Sequence, residues 1–148
     1  MLDMGLAKTD WVATAAANAV NLLIAALFVA RLRGSSSEYW LGLAAIAMGV
    51  PLLGVLVANL QSHRPWWAVV LPGLMAVYLA VELLLDYVWK INFRAGPLLW
   101  PYVVLYYAAL MAMVGYAFLV RRAAGFITLI TYFINLAMSA WAHARPIR

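Results

Sequence analysis

Five runs of apolar residues, each about 20 residues long, occupy most of this chain and constrain its fold more than any other feature. A helix of about 20 residues crosses the roughly 30 Å hydrocarbon core of a bilayer. Because the backbone finds no water there, continuous hydrophobicity of this length is compatible only with helices. The sequence therefore predicts an all-α integral membrane protein, a compact bundle of five transmembrane helices with short loops, forming one domain over residues 1–148. The predicted spans are residues 11–30, 39–60, 66–90, 98–120 and 123–142.

The composition agrees with this class and removes several kinds of function. Hydrophobic residues make up 68% of the chain and charged residues 10%, whereas soluble domains are roughly 45 to 50% apolar. The chain has no cysteine, which excludes disulfides, thiolate metal sites and cysteine nucleophiles. Nucleic acid is not an expected partner, because the bases flank the spans and form no basic patch with interleaved aromatic residues.

Basic residues at the span ends predict the orientation in the membrane. An odd number of spans places the two termini on opposite sides. The side of the N-terminus carries fewer bases than the other side, so the positive-inside rule predicts an outside N-terminus and a cytoplasmic C-terminus. In a prokaryote this membrane would be the bacterial or archaeal inner membrane. The first group is Lys8, Arg64, Arg121 and Arg122, and the second is Arg31, Arg33, Lys90, Arg94, Arg145 and Arg148.

Four charged residues at steps of four mark the end of the third predicted span: Glu82, Asp86, Lys90 and Arg94. On a continuous helix they share one face. Asp86 followed by Lys90 is the favourable order for a helical ion pair, and both bases suit the negative end of the helix dipole. Glu82 has no such explanation, because its nearest helical neighbour is the like-charged Asp86. An acid within a span therefore indicates a pocket, a cavity or a partner.

Polar residues on other spans fall at comparable depth and predict a pocket that opens toward the C-terminal side. Counting back from the helix ends places Asn135 and either Tyr106 or Tyr107 level with Glu82, and Ser139 and Tyr102 level with Asp86. The predicted pocket has Glu82 at its floor and Asp86 above it. Its predicted walls are Asn21, Tyr106, Asn135 and Ser139, and its predicted rim is Lys90, Arg94 and His143.

Several functions fit such a site, and a purely structural role for the polar residues is one of them. The sequence favours transport or binding of a small cationic or lipophilic ligand, with Glu82 as the proton or cation site. In a second reading, Glu82 and Asp86 bind a membrane partner subunit or a second copy. In a third, which the sequence favours less, they form the acid–base pair of an intramembrane enzyme. No metal or other cofactor is predicted. No metal-ligating motif is present, and haem with two histidine ligands is disfavoured because His63 and His143 are predicted on opposite membrane faces.

Overall fold

The computed structural model describes residues 7–145, and over that range the chain consists of helices joined by short connectors. A π-helical segment, Leu83–Val88, continues the fourth α-helix, and a short 3-10 helix, Phe93–Ala95, precedes the fifth. The six α-helices of the described range are α1 (Lys8–Leu32), α2 (Ser37–Ala47), α3 (Gly49–Gln61), α4 (Trp67–Glu82), α5 (Leu99–Val120) and α6 (Arg122–Ala144).

Within residues 7–145, five helical stretches are long and apolar enough to cross a membrane. The second joins α2 and α3, and the third joins α4 to the π-helical segment. The prediction of an all-α membrane protein with five spans is confirmed, membrane insertion being inferred from the composition of the helices. Each stretch begins and ends within three residues of its predicted range; they are Lys8–Leu32, Ser37–Gln61, Trp67–Val88, Leu99–Val120 and Arg122–Ala144.

Helix α1 lies at the centre of the bundle and contacts α2, α3, α5 and α6. Half of its most apolar window is buried, a larger share than in any other span. Ala13, Ala16 and Ala17 are buried along it, and small side chains of this kind let helix backbones approach closely in a membrane. The central position of α1 brings its polar residue Asn21 against Thr131 of α6.

The third span ends differently from its sequence-based prediction. The amide of Trp89 donates to the carbonyl of Leu84, five residues back, which is the π-helical pattern, and Lys90 then adopts a positive φ of 51°. Lys90 is therefore outside the helix and exposed. The prediction that the four charged residues share one helical face is wrong, because the helix ends before Lys90. The predicted Asp86–Lys90 ion pair is also wrong, since Asp86 pairs with Arg94 instead.

Candidate functional site

A cavity of about 930 Å³ lies at the end of the bundle where α1 and α6 end and where α2 and α5 begin. Its walls come from all five spans and from the connectors after the first and third spans. Ile24, Ala45 and Leu79 form an apolar part of the wall. Six tyrosines also line the cavity: Tyr39, Tyr78, Tyr87, Tyr102, Tyr106 and Tyr107. The site thus combines apolar surface, aromatic rings and hydroxyl groups.

Glu82, the last residue of α4, presents its carboxylate to this cavity. The hydroxyl of Tyr102 donates a hydrogen bond to Glu82 Oε2. The hydroxyl of Tyr78 lies 3.4 Å from that of Tyr102, so the acid begins a short polar series that leads into the bundle. Within residues 7–145 Glu82 takes part in no salt bridge. Among the described residues, this half-buried carboxylate therefore has a hydroxyl partner and no basic side chain within salt-bridge distance.

Asp86, also in the cavity wall, is fully engaged by one arginine. The guanidinium of Arg94 donates to Asp86 Oδ1 at 2.8 Å and to Oδ2 at 2.7 Å, a bidentate geometry. The same guanidinium lies 4.5 Å from the centre of the Phe93 ring. Its hydrogen bonds with Asp86 raise the pKa of Arg94 above its ordinary value, so the arginine stays charged and holds the carboxylate.

A second ion pair lies at the mouth of the cavity, across the connector between α1 and α2. Arg31 Nε donates to Glu38 Oε1 at 2.7 Å, and Arg31 also lies 5.4 Å from the centre of the Phe28 ring. Among the described residues, three carboxylates line the cavity, and two of them, Asp86 and Glu38, are each paired with an arginine. Glu82 is the third, and it has no arginine partner among the described residues.

His143 and Ser139 extend the polar lining from the end of α6. The Nδ1 atom of His143 lies 2.7 Å from the main-chain oxygen of Ser139. A carbonyl oxygen only accepts hydrogen bonds, so Nδ1 carries the hydrogen in this arrangement. The Phe28 ring packs edge-on to the imidazole at 5.7 Å, which holds the histidine at the cavity edge.

The structure brings most of the residues singled out in the sequence to this cavity. Glu82, Asp86, Arg94, Tyr106, Ser139 and His143 all line it. Asn21, Asn135 and Lys90 do not. Asn21 is buried and donates to Thr131 Oγ1 at 3.0 Å, while Asn135 accepts a hydrogen bond from Tyr106, also at 3.0 Å.

The depth of the aromatic partner differs from the prediction by one helical turn. Tyr102, placed level with Asp86 by counting residues, instead donates to Glu82, and Tyr106 is held by Asn135. The third span ends at Val88, two residues earlier than predicted, which corresponds to about 3 Å along a helix. Glu82 consequently lies closer to the end of the span than the sequence suggested.

Sequence reasoning missed the Arg31–Glu38 pair and gave no pocket role to Tyr39, Tyr78 or Tyr87. A signal for the pair was present, since both residues flank a connector of four residues and must reach the same membrane surface. No comparable signal identifies the tyrosines, because an aromatic residue at a span end also fits the interfacial belt.

A separate ionic cluster lies at the opposite end of the bundle. Asp10 is 5% exposed, and Arg64 contacts both of its carboxylate oxygens at 3.0 to 3.3 Å. The hydroxyl of Tyr116 donates to Asp10 Oδ1 at 2.7 Å. The Arg64 guanidinium also lies 5.7 Å from the Trp67 ring. These contacts tie α1, α5 and the connector before α4 together on that side.

Within residues 7–145 no group of three or more histidine, cysteine, aspartate or glutamate residues is arranged to hold a metal ion. The groups that the cavity presents are the carboxylate of Glu82, two arginine–acid pairs, hydroxyl groups and aromatic rings. Comparison of the chain with protein-family models, with curated proteins and with solved structures finds no match.

Proposed function

We propose that the protein binds a small lipophilic cation in the cavity, with Glu82 as the counter-ion. The observation that carries this proposal is that, among the described residues, Glu82 is the cavity carboxylate without an arginine partner. A carboxylate removed from bulk water gains much from a cation, because the surroundings screen the attraction weakly. A ligand with a positive charge would pair with Glu82 as the arginines pair with Asp86 and Glu38.

The rest of the lining suits the remainder of such a ligand. Tyrosine rings attract cations through their faces, with a strength of about 0.5 to 2 kcal/mol per contact. Tyr78 packs against both Tyr102 and Tyr106, with ring centres 6.0 and 5.4 Å apart, so these rings form a continuous aromatic wall beside Glu82. The volume of about 930 Å³ falls within the range of sites that enclose drug-sized molecules.

The state of Asp86 argues against the enzymatic alternative. An acid–base pair needs a second carboxyl group that is free to exchange a proton with a substrate. Both oxygens of Asp86 accept hydrogen bonds from Arg94, so the guanidinium already occupies this carboxylate. Glu82 therefore stands as a binding group, and exchange of its cation for a proton would turn the same site into a transport site.

The proposal is tested with two ions of the same shape and opposite charge, tetraphenylphosphonium and tetraphenylborate. Calorimetry on the purified protein in neutral detergent should show saturable binding of the cation and none of the anion. Glu82→Gln should weaken cation binding about 10- to 100-fold, the loss expected for a charged contact of about 1.5 to 3 kcal/mol.

Glu38→Gln is the matched control, because Glu38 lines the same cavity and already has Arg31 as its partner. It should weaken binding less than threefold. Equal affinities of the wild type and Glu82→Gln would refute the proposal. A Glu82→Gln protein that binds the cation normally but loses an oligomer or a co-purifying subunit would favour the role in assembly instead.

A further inference from the structure

A second, smaller groove of about 390 Å³ lies between the ends of α1 and α6 and shares no lining residue with the cavity around Glu82. Its walls are Val29, Leu32 and Arg33 from the end of the first span, and Trp141 and Arg145 from the end of the last. The groove therefore combines two bases, an indole ring and two aliphatic side chains at one membrane surface.

Among the described residues, the two arginines in this groove have no acidic partner. Neither Arg33 nor Arg145 takes part in a salt bridge within the described part of the chain, and both are exposed. The guanidinium of Arg145 lies 4.9 Å from the Trp141 ring, which holds it beside the groove. Two like charges that line one groove repel each other, and an anion between them would remove that repulsion.

Helix electrostatics explain only part of this arrangement. Arg33 and Arg145 occupy the C-cap positions of α1 and α6, where a positive charge compensates the helix dipole. The dipole accounts for a base at the end of each helix. It does not account for two bases from different helices that line the same groove, so their convergence calls for a further reason.

The position in the membrane indicates the chemistry of the ligand. Trp141 is 44% exposed near the end of the last span, as expected of an indole at the boundary between hydrocarbon and headgroups. Val29 and Leu32 lie one turn or less before Arg33 and present apolar surface on the membrane side of the two bases. The groove can thus contact an anionic head and the first part of an acyl chain together.

We propose that this groove binds the headgroup of an anionic phospholipid, with the phosphate between Arg33 and Arg145 and one acyl chain along Val29 and Leu32. Basic pockets between transmembrane helices on the cytoplasmic side are a recognised way of holding anionic lipids, and this end of the bundle is the one predicted to be cytoplasmic. This site does not depend on the cation site at Glu82.

Native mass spectrometry on the protein in detergent tests the proposal, with phosphatidylglycerol and phosphatidylcholine offered together. The wild type should retain phosphatidylglycerol at least about tenfold over phosphatidylcholine, as two charge-assisted contacts would give. Arg33→Gln/Arg145→Gln should abolish this preference. Arg121→Gln/Arg122→Gln removes the same charge at the opposite membrane surface and should leave the preference unchanged.

Two further arms separate a lipid site from other outcomes. Inorganic phosphate at millimolar concentration should not displace the lipid, because it lacks the acyl chain; displacement together with loss of the preference would show a free-anion site and overturn the proposal. Should the double variant fail to fold, photoactivatable phosphatidylglycerol on the wild type should crosslink to residues 29–33 and 141–145. Crosslinks spread evenly around the bundle would overturn the proposal.

Discussion

Arg94 donates one hydrogen bond to each carboxylate oxygen of Asp86, eight residues earlier in the chain, and so folds the end of the third span back on itself. The 3-10 helix Phe93–Ala95 delivers the arginine to this position. The pair lies in the wall of the main cavity and occupies both oxygens of Asp86, whereas Glu82 has no arginine partner among the described residues.

The strength of this pair is open to a double-mutant cycle on Asp86→Asn and Arg94→Gln. The two side chains are 23% and 43% exposed, so solvent screens the attraction, and we expect a coupling energy of only about 0.5 to 1 kcal/mol. Thermal unfolding in detergent measures it. A coupling energy above about 3 kcal/mol would mean that the pair is far better shielded in the membrane than its exposure indicates.

The buried cluster at the other end of the bundle should matter more for stability. Arg64→Met leaves Asp10 without its cation at a site where the acid side chain is 7% exposed, and we expect a loss of about 2 to 4 kcal/mol. Tyr116→Phe removes one hydrogen bond to the same carboxylate and should cost about 1 to 2 kcal/mol. Asp10→Asn in the Arg64→Met background should recover part of the loss. A larger loss of unfolding free energy in Tyr116→Phe than in Arg64→Met, measured by denaturation, would contradict this order.

Gly125 gives a test of packing between the last two helices. A Cβ at this buried glycine would collide with the Phe118 ring of α5, whereas a Cβ at the exposed Gly54 meets nothing within 4 Å. Gly125→Ala should therefore destabilise the protein by about 1 to 3 kcal/mol. Gly54→Ala should be neutral or stabilising by up to about 1 kcal/mol, because alanine is the better helix former. The loss at Gly125 should vanish in a Phe118→Ala background, and its persistence there would point to another cause.

The Tyr106–Asn135 hydrogen bond should be one of the stronger polar contacts in the bundle, because both side chains are buried. Asn135→Leu leaves the tyrosine hydroxyl without its acceptor and should cost about 1 to 3 kcal/mol. Adding Tyr106→Phe to that variant should then be close to neutral, whereas Tyr106→Phe alone should be costly. Unfolding midpoints of the wild type, the two single variants and the double variant test this prediction. Additive effects would show that the two side chains act independently.

The spans could be predicted closely because hydrocarbon imposes one rule on every residue within it. A run such as residues 98–120 offers no alternative to a helix of bilayer length, and α5 with its flanking residue occupies that range. No comparable rule predicts the order in which the other helices pack around α1. It depends on side-chain packing between particular faces, which hydropathy does not encode.

Most residues chosen for the candidate site line the cavity, but the sequence placed one of them at the wrong depth and gave no attention to a second cluster. Glu82 was recognised because an acid inside an apolar run is costly, yet its partner Tyr102 was assigned to the wrong depth, because the π-helical end of the span changes the residue count. Asp10 drew no attention at the edge of the first span, where an exposed acid is ordinary. Its burial results from Arg64, 54 positions away, and a pairing across that distance leaves no local pattern in the sequence.

The π-helical segment Leu83–Val88 also bears on how relatives of this chain would be compared with it. A hydrogen bond that reaches five residues back accommodates about one extra residue, so the end of this span holds about one residue more than an α-helical end of the same length. A homologue with an uninterrupted α-helix here could present the same cavity wall with one residue fewer. An alignment that forbids gaps inside membrane spans would then match Asp86 to the wrong position. The similarity between the cavity of this chain and that of the homologue would be missed.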